Sequence, residues 1–574
     1  MRTTRSLYRI VLSICAALAF IQVAPAQTLE QKKELLKKVL DASGRISDAQ
    51  KKLLSAGARN YFQLAAQLNA PQTKPGVGDG DGGSLGDAAR ATQAKAALLA
   101  PVELAAGPGG VPRVSDPALD FLTSVLEGFT QSETSTAWCG NSVVVGYNDS
   151  GAFMRTAAVN PAAASSFNGV SVSANGGRTY KDLGFLNPGS NPSNFVEGDP
   201  ALFCSSATQF YYSSLLETAV TDSQGNLQAL TAVSLSSSSN GGVTWGNPVV
   251  AVSKDGFSHF LDKPWSTYDP GNPKAMYITY TDFDFSGTGA ACPNDTRTAI
   301  ELVSSADGGN TWSTPTVIDQ VCGITLEGVQ GSNVIVAPDG TVDVAYEFFP
   351  ATGNNEIHIA RSTNHGSTFG PIVKVATDVV PNGALGSLQG LFRDNEFPQV
   401  AVDRSHGSSA GTLYIVWSDG RNNIVPDLAA ATYAYPDVVI SKSTDGGLTF
   451  SKPQAVSPTP ANFGGIGRDQ FFPGVAVDKD GHVGVCYYDR RASAANTVID
   501  RYCSVSVDRG HSWVEQRVSA SNWLPIHNTD SLINPSYIGD YDALTSDALG
   551  INGGFLGAFE IQNQGNPDVY AKRF

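Results

Sequence analysis

The sequence predicts a mainly β protein built from repeated four-stranded units, and three observations support this. The 574 residues include 59 glycines and only 16% charged side chains, a composition that suits strands joined by tight turns. An eight-residue pattern recurs six times between residues 173 and 513, and such self-similarity indicates a repeat architecture. Short runs of β-branched and aromatic residues, typical of strands, flank the copies.

The recurring pattern reads Ser-x-Asp/Asn-x-Gly-x-Thr/Ser-aromatic and has the chemistry of a turn between two strands. Its third residue is a short acceptor able to bind nearby backbone N–H groups, as in an Asx-turn. Its fifth residue is always glycine, as a backbone with positive φ demands. Because Asn replaces Asp in three copies, we interpret the motif as structural rather than catalytic. The acceptors are Asn175, Asn240, Asp307, Asn364, Asp445 and Asp508.

These eight residues resemble the Asp-box, or BNR repeat, of sialidases and other β-propellers. The resemblance covers six blocks between about residue 170 and residue 515. It implies a propeller fold of the sialidase-like superfamily. It says little about activity, because similar turns occur on propellers with unrelated functions.

The fifth repeat gives the template for one unit, with strands over 397–403, 412–419, 436–443 and 449–457. Four such strands form one propeller blade. Six copies predict six blades, and three further strands follow the last copy over 538–547, 554–562 and 567–574. We therefore predict seven blades, with the missing strand supplied from the N-terminal side within residues 118–131. The alternative is a six-bladed ring with a C-terminal appendage.

The N-terminus has the pattern of a secretory signal over residues 1–26. Arg2, Arg5 and Arg9 precede an apolar run, and a small-residue cleavage site ends at Ala26. The prediction is a secreted or periplasmic protein with no membrane span after cleavage. Residues 27–70 then read as a helical segment, 71–130 as a Gly/Ala/Pro-rich linker with a lead-in strand, and 131–574 as the propeller.

Because disulfides form in the oxidising compartments that exported proteins reach, we expect the cysteines outside the signal to form disulfides. Their positions relative to the repeats predict the pairs Cys139–Cys204, Cys292–Cys322 and Cys486–Cys503. No Cys-x-x-Cys pair occurs and the seven histidines are scattered, so no metal site is expected. No cofactor is expected either. The alternative is calcium at residues 79–83 (DGDGG). These residues provide fewer ligands than an EF-hand loop, so we interpret them as part of the linker. A net charge of −15 argues against a nucleic-acid partner.

Loops joining second to third strands, and fourth strands to the next blade, should share the face opposite the boxes. Five arginines predicted on that face are candidates for a carboxylate or phosphate receptor: Arg393, Arg421, Arg468, Arg490 and Arg491. The alternative is that local ion pairs, Asp419–Arg421 and Asp489–Arg491, hold the hairpins together.

A sialidase holds its sugar carboxylate with three arginines and uses a Tyr–Glu pair with an Asp acid/base. The family's Arg-Ile-Pro motif is absent here, since the first blade opens STAWCGNSVVVGYND without arginine. The resemblance implies Tyr541 as nucleophile with Glu396 as its partner, and Asp469 as a further acidic candidate. The predicted function is a sialidase-like propeller acting on or binding glycans, with exo-sialidase activity as its enzymatic form. The alternative is a non-catalytic propeller for proteins or cell-wall polymers.

Overall fold

Seven antiparallel sheets follow one another along the chain and surround a central channel. This is seen in a computed structural model, which describes residues 102–104, 106–115, 130–159, 164–221, 227–256, 258–323, 327–379, 387–388, 392–427, 431–457, 467–524, 538–563 and 566–574. The protein is a seven-bladed β-propeller, as the sequence predicts.

In blades 1 to 6 the strands run outward from the channel in chain order. Blade 1 contains Gln131–Cys139, Ser142–Asp149, Asn168–Ser173 and Lys181–Asp182, with Val102–Glu103 at its outer edge. Blade 2 contains Ala201–Cys204, Phe210–Thr221, Leu227–Ser238 and Val249–Asp255, joined by Ser165–Ser166 and Phe195–Val196. Blade 3 contains His259–Asp269, Asn272–Asp284, Arg297–Ser305 and Thr316–Cys322.

The remaining blades repeat this order. Blade 4 contains Gly328–Val336, Val342–Phe349, Glu356–Ser362 and Val373–Thr377. Blade 5 contains Gln399–Val402, Leu413–Asp419, Asp437–Ser443 and Gln454–Ala455. Blade 6 contains Gln470–Val477, Val483–Asp489, Asp500–Ser506 and Val514–Arg517, and blade 7 contains Leu544–Ser546, Phe555–Asn563 and Asn566–Arg573. Two small hairpins lie outside the blades, Ser387–Leu388 with Phe392–Arg393 and Ile424–Asp427 with Ala431–Ala434.

The first strands of all seven blades, or residues directly beside them, line a channel cavity of about 200 Å³. Outside this channel the hydrophobic core lies between neighbouring sheets. Trp417 of blade 5, for example, is fully buried in one cluster with Ile359 of blade 4. Side chains of adjacent sheets interdigitate there, as they do in other packed sheets.

An N-terminal segment completes blade 7. The Val114 amide donates to the Val569 carbonyl at 2.8 Å, and the Ala571 amide donates to the Pro112 carbonyl at 3.1 Å. The prediction that the last blade takes its outer strand from the N-terminal side is confirmed. The pairing segment is residues 112–115, which precedes the predicted range of 118–131; residues 116–129 lie outside the described part of the chain.

The six box turns follow the third strands and share a set of short-range hydrogen bonds. In the third box the Ser305 hydroxyl donates to Asp307 Oδ1 at 2.8 Å. The Gly309 amide donates to the Ser305 hydroxyl at 2.9 Å, and the Thr311 amide to Asp307 Oδ1 at 2.9 Å. Gly309 has φ = 86°, which favours glycine. In the fourth box Asn364 Oδ1 accepts the Thr368 amide in the same way, at 3.0 Å.

The three predicted disulfides are present, namely Cys139–Cys204, Cys292–Cys322 and Cys486–Cys503. The first joins blades 1 and 2. The second joins the end of the fourth strand of blade 3 to a loop of the same blade. In the third pair the two cysteines face each other directly across neighbouring strands of blade 6.

The predicted signal peptide and helical segment, the DGDGG stretch and most of the linker lie outside the described residues. The one described α-helix is Ser150–Val159, between the second and third strands of blade 1, and the sequence analysis did not predict it. A short 3-10 turn covers Pro108–Gly110. Within the described ranges, no helix has the length and apolar character needed to cross a membrane.

Candidate functional site

The strands alternate in direction, so the starts of the first strands lie at the end of the channel opposite the boxes. We call this end the mouth. At the mouth the backbone adopts the left-handed conformation at Glu133, Asp199, Lys263 and Phe472, with φ between 48° and 53°. In blades 1, 3 and 6 the left-handed residue lies within a β-bulge, where the pairing register shifts. Because the conformation recurs in several blades, it belongs to the architecture; the side chain that it presents differs from blade to blade.

Blades 1 and 3, with the segments that lead into blades 2 and 7, place one ion cluster at this mouth. Lys263 Nζ lies 3.1 Å from Glu133 Oε1, 3.7 Å from Asp199 Oδ2 and 2.7 Å from Asp540 Oδ2. All four side chains are buried. Tyr541 completes the group, since Lys263 Nζ lies 5.1 Å from the centre of its ring. We call these five residues the mouth cluster.

Neighbouring polar groups position the mouth cluster. The Asn148 amide group donates to Glu133 Oε2 at 2.9 Å, and its oxygen accepts the Asp199 backbone amide at 2.9 Å. The Tyr541 ring packs edge-on against Trp265 at 5.6 Å, and its hydroxyl donates to the Pro200 carbonyl at 3.5 Å. The cluster is therefore held from blades 1, 2 and 3.

Burial controls protonation in the mouth cluster. It raises the pKa of Glu133 to about 8, opposed by Lys263 and reinforced by Asp199 and Asp540. It raises the pKa of Asp199 to about 6, again opposed by Lys263. Burial and the charge of Glu133 hold the pKa of Tyr541 well above its usual range. At neutral pH the cluster therefore keeps a proton on Glu133 and a neutral phenol on Tyr541.

A second group of buried carboxylates lies between blades 4 and 5 at the same end of the channel. It consists of Glu347, Asp378, Asp394 and Glu396, and we call it the Glu347 cluster. Burial raises the pKa of Glu347 to about 8 and those of the other three well above their usual range. The Asn395 side chain, from the same loop, donates to the Asp540 carbonyl at 2.9 Å and so links the two clusters.

The arginines proposed as a receptor make bonds within the protein. Arg421 Nε donates to Asp419 Oδ1 at 2.9 Å, and its Nη2 donates to the Thr377 carbonyl at 2.6 Å. Arg491 pairs with Asp489 at 2.6 Å. These are the two local ion pairs of the alternative interpretation.

The remaining arginines of this set have other partners. Arg490 Nη1 lies 3.0 Å from Asp469 Oδ2, and both side chains are fully buried. Arg468 Nη1 donates to the Gly467 carbonyl at 2.7 Å. The backbone of Arg393 lies in a two-residue strand, and its side chain is outside the described part of the structure.

The three sequence-predicted catalytic candidates lie in three different groups. Tyr541 belongs to the mouth cluster, and the charges that act on it are those of Glu133, Asp199 and Asp540. Glu396 belongs to the Glu347 cluster. Asp469 accepts hydrogen bonds from Arg490 and, at 2.7 Å, from the Asn496 side chain. The acid beside Tyr541 is thus Glu133, and no contact between Tyr541 and Glu396 occurs among the described residues.

Sequence reasoning missed Glu133 and Lys263 at the centre of the site. Asp199 and Asp540 stand out as acids that recur before first strands. Glu133 lies in QSETSTAWC and Lys263 in HFLDKPW, where neither belongs to a motif. The one sequence feature that marks these left-handed positions is the proline that follows Asp199, Lys263 and Phe472.

Comparison with known proteins finds no matching family model and no matching curated protein sequence. Among solved structures, the chain aligns with the Hadza microbial sialidase Hz136 at 15% identity and a TM-score of 0.39, over 66% of this chain and 65% of that one. It aligns with a Penicillium chrysogenum α-L-arabinanase at 10% identity and a TM-score of 0.39, over 67% and 94%. A leech intramolecular trans-sialidase aligns at 12% identity and a TM-score of 0.37, over 80% and 70%. At these values the alignments do not define an activity.

Proposed function

We propose that the protein is an exported propeller that acts on glycans as a glycoside hydrolase through its mouth cluster. One observation carries this proposal: a tyrosine, a glutamate and an aspartate converge on Lys263 at the mouth of the channel. A tyrosine nucleophile with a carboxylate base and a carboxylic acid is the set that a sialidase-type reaction requires. The three disulfides support export, because such bonds persist in oxidising compartments.

In this proposal each group has one role. The Tyr541 oxygen attacks the anomeric carbon while its proton passes to a carboxylate oxygen of Asp199. The glycosidic C–O bond breaks, and the leaving oxygen takes the proton of Glu133. Water then attacks the glycosyl–tyrosine bond and returns a proton to Glu133, and Asp199 reprotonates the phenolate. The raised pKa of Glu133, about 8, keeps it protonated at neutral pH, whereas Asp199, with a pKa of about 6, is ionised, as these roles require.

The exo-sialidase form of this proposal needs a cationic clamp for the sugar carboxylate. Arg421 and Arg490 are the candidates, yet Asp419 and Asp469 already engage them. These contacts favour a structural role for both arginines and a substrate without a carboxylate. We therefore propose that the protein hydrolyses a glycan, and the experiment below tests whether that glycan carries an acidic sugar.

The second candidate is a non-catalytic propeller that binds proteins or cell-wall polymers. Burial favours it, because Glu133 and Asp199 have no exposed surface and Tyr541 is only 6% exposed. A binding protein needs the mouth cluster only as a rigid support for its loops.

The test is a panel of acidic and neutral fluorogenic glycosides, together with a glycan array. We expect wild-type hydrolysis of at least one glycoside, reduced by about 100-fold or more in Tyr541→Phe. Tyr346→Phe is the matched control, since it likewise removes the hydroxyl of a buried tyrosine, one that lies in blade 4 and donates to Asp319 at 2.8 Å. Array binding without hydrolysis in any variant would favour the second candidate. If the wild-type protein shows no binding and no hydrolysis, both candidate functions are overturned.

The arginines form a separate arm of this experiment. If an acidic sugar is bound, Arg421→Ala and Arg490→Ala should abolish its binding and leave the melting temperature nearly unchanged. The ion-pair interpretation predicts the opposite, because each substitution leaves a buried carboxylate unpaired: a lower melting temperature with no loss of ligand.

A further inference from the structure

The Glu347 cluster has the geometry of a cation site. Three separate elements meet there: Glu347 on the second strand of blade 4, Asp378 directly after its fourth strand, and Glu396 before the first strand of blade 5. One carboxylate oxygen from each lies within 4.8 Å of the other two. Oxygens on opposite sides of one Ca²⁺ ion span about 5 Å, because each Ca–O distance is about 2.5 Å.

Several buried oxygens in this cluster lack hydrogen-bond donors, although the Asn355 side chain donates to Glu347 Oε1 at 2.7 Å. Asp378 is fully buried, and neither of its oxygens has a hydrogen-bond partner among the described residues. The same holds for Glu347 Oε2, and for both oxygens of Asp394, which is only 8% exposed. Buried carboxylate oxygens almost always have partners, so unpartnered oxygens from three neighbouring residues need a ligand to account for them.

Asp394 interacts electrostatically with two of these carboxylates, although its oxygens are not among the three that converge. Its charge acts on Glu347, and the charge of Glu396 acts on it. By contrast the neighbouring Asp419 is satisfied by Arg421 and by the Trp417 indole, which donates to Asp419 Oδ2 at 2.9 Å. Among these neighbouring acids, the oxygens without hydrogen-bond partners therefore belong to Glu347, Asp378 and Asp394.

Nearby arginines do not balance this charge. Four carboxylates meet in the cluster, while the hydrogen bonds of Arg421 go to Asp419 and the Thr377 carbonyl, and Arg490 pairs with Asp469. Leaving several carboxylates buried together without cations is strongly unfavourable. A divalent cation offsets two charges at once.

We propose that Glu347, Asp378 and Glu396 bind one Ca²⁺ ion between blades 4 and 5, with Asp394 as a further oxygen donor. The donors are carboxylate oxygens only, which select hard cations over zinc or copper. Calcium accepts six to eight oxygens in flexible geometry, whereas magnesium demands a smaller octahedron and retains its waters. Glu396 and Asp394, at 6% and 8% exposure, are the members through which an ion can enter. The site is separate from the mouth cluster and does not depend on the proposed hydrolase activity.

Terbium luminescence and calorimetry on the full-length protein test this site. Trp417 bonds Asp419, whose carboxylate lies beside that of Asp378, so it is placed to sensitise a bound Tb³⁺ ion. We expect one Tb³⁺ site that Ca²⁺ displaces and Mg²⁺ displaces poorly, and a melting temperature that rises with millimolar Ca²⁺. Asp378→Asn should weaken Ca²⁺ binding by at least about tenfold.

Two further measurements separate this outcome from misfolding and from surface binding. In EDTA, Asp378→Asn should melt no lower than wild type, because the amide removes repulsion while keeping the shape. Asp480→Asn, which changes the exposed member of the Asp478–Asp480–His482 group, should leave Ca²⁺ affinity unchanged. Absence of any Ca²⁺ effect in wild type, or equal affinity in Asp378→Asn, would overturn the proposal and leave shared protons as the means of neutralising the cluster.

Discussion

At the scale of single residues, this propeller buries acids that have no matching base. Glu197 and Glu217 lie together in blade 2, and both are buried. Burial raises the pKa of Glu217 to about 8, opposed by a hydrogen bond from Thr231. The folded protein therefore holds a proton that the unfolded chain releases near its ordinary pKa of about 4.3.

The sign of this linkage gives a prediction. Because the pKa of Glu217 is raised in the folded state, the contribution of Glu217 to stability is fully present below about pH 4 and is lost as the pH rises toward 8. We expect the free energy of unfolding of wild type to fall between pH 5 and pH 8, by up to about 1.4 kcal/mol per pH unit for this one group. Glu217→Gln should flatten that slope, as measured by urea unfolding at a series of pH values.

Glu356→Gln provides the control of opposite sign. Although burial opposes it, Lys374 and His358 hold the pKa of Glu356 below its usual range. Its contribution to stability is therefore lost as the pH falls below the ordinary pKa, not as the pH rises. An unchanged slope between pH 5 and pH 8 in Glu217→Gln would show that Glu217 does not carry the proton.

At the scale of elements, the box turn works equally with Asp or Asn at its third position. Both side chains present an oxygen to the backbone amide four residues on, at 2.9 Å in the Asp307 box and 3.0 Å in the Asn175 box. The Thr311 amide and hydroxyl, with Ser305, lower the pKa of Asp307 to about 2. The carboxylate is an acceptor here, and its charge is secondary.

We therefore predict that Asp307→Asn melts close to wild type, while Asp307→Ala melts lower because two backbone amides lose their acceptor. Differential scanning calorimetry of the two variants at neutral pH makes the comparison. The lowered pKa adds a second expectation, that the small part of this turn's stability that depends on the charge is lost only as the pH falls from about 4 to about 2. Equal losses in Asn and Ala variants would mean that the charge is essential.

The box turns and strands were predictable from sequence because their bonds are local. Ser305, Asp307, Gly309 and Thr311 bond over two to four residues, so their spacing is visible in the chain. The mouth cluster is different. Lys263 and Glu133 are 130 residues apart, and left-handed backbone at non-glycine residues brings them together. No local pattern encodes that contact, and the sequence therefore indicated Glu396 where the structure has Glu133.

At the scale of the whole molecule, the ring is closed by contacts distant in sequence. Residues 112–115 bond the last strand of the chain, and a bridge between Thr134 and Asp542 joins the first strands of blades 1 and 7. The three-strand remainder after the sixth box predicted that a strand was missing from blade 7. It did not identify the segment, because β-pairing is set by backbone groups that every residue carries.

The closure of the ring gives the last prediction. Val114 is fully buried in one core cluster with Trp138 of blade 1 and Val569 of blade 7. Val114→Asp should lower the free energy of unfolding by at least about 2 kcal/mol, because it loses apolar burial and places an unpaired charge in the core. Release of residues 112–115 also exposes the edge of Asn566–Arg573, so light scattering should show concentration-dependent aggregation. Val507→Asp, at a box position that is 71% exposed, should change neither measurement. A Val114→Asp protein as stable and monomeric as wild type would mean that blade 7 holds without its fourth strand.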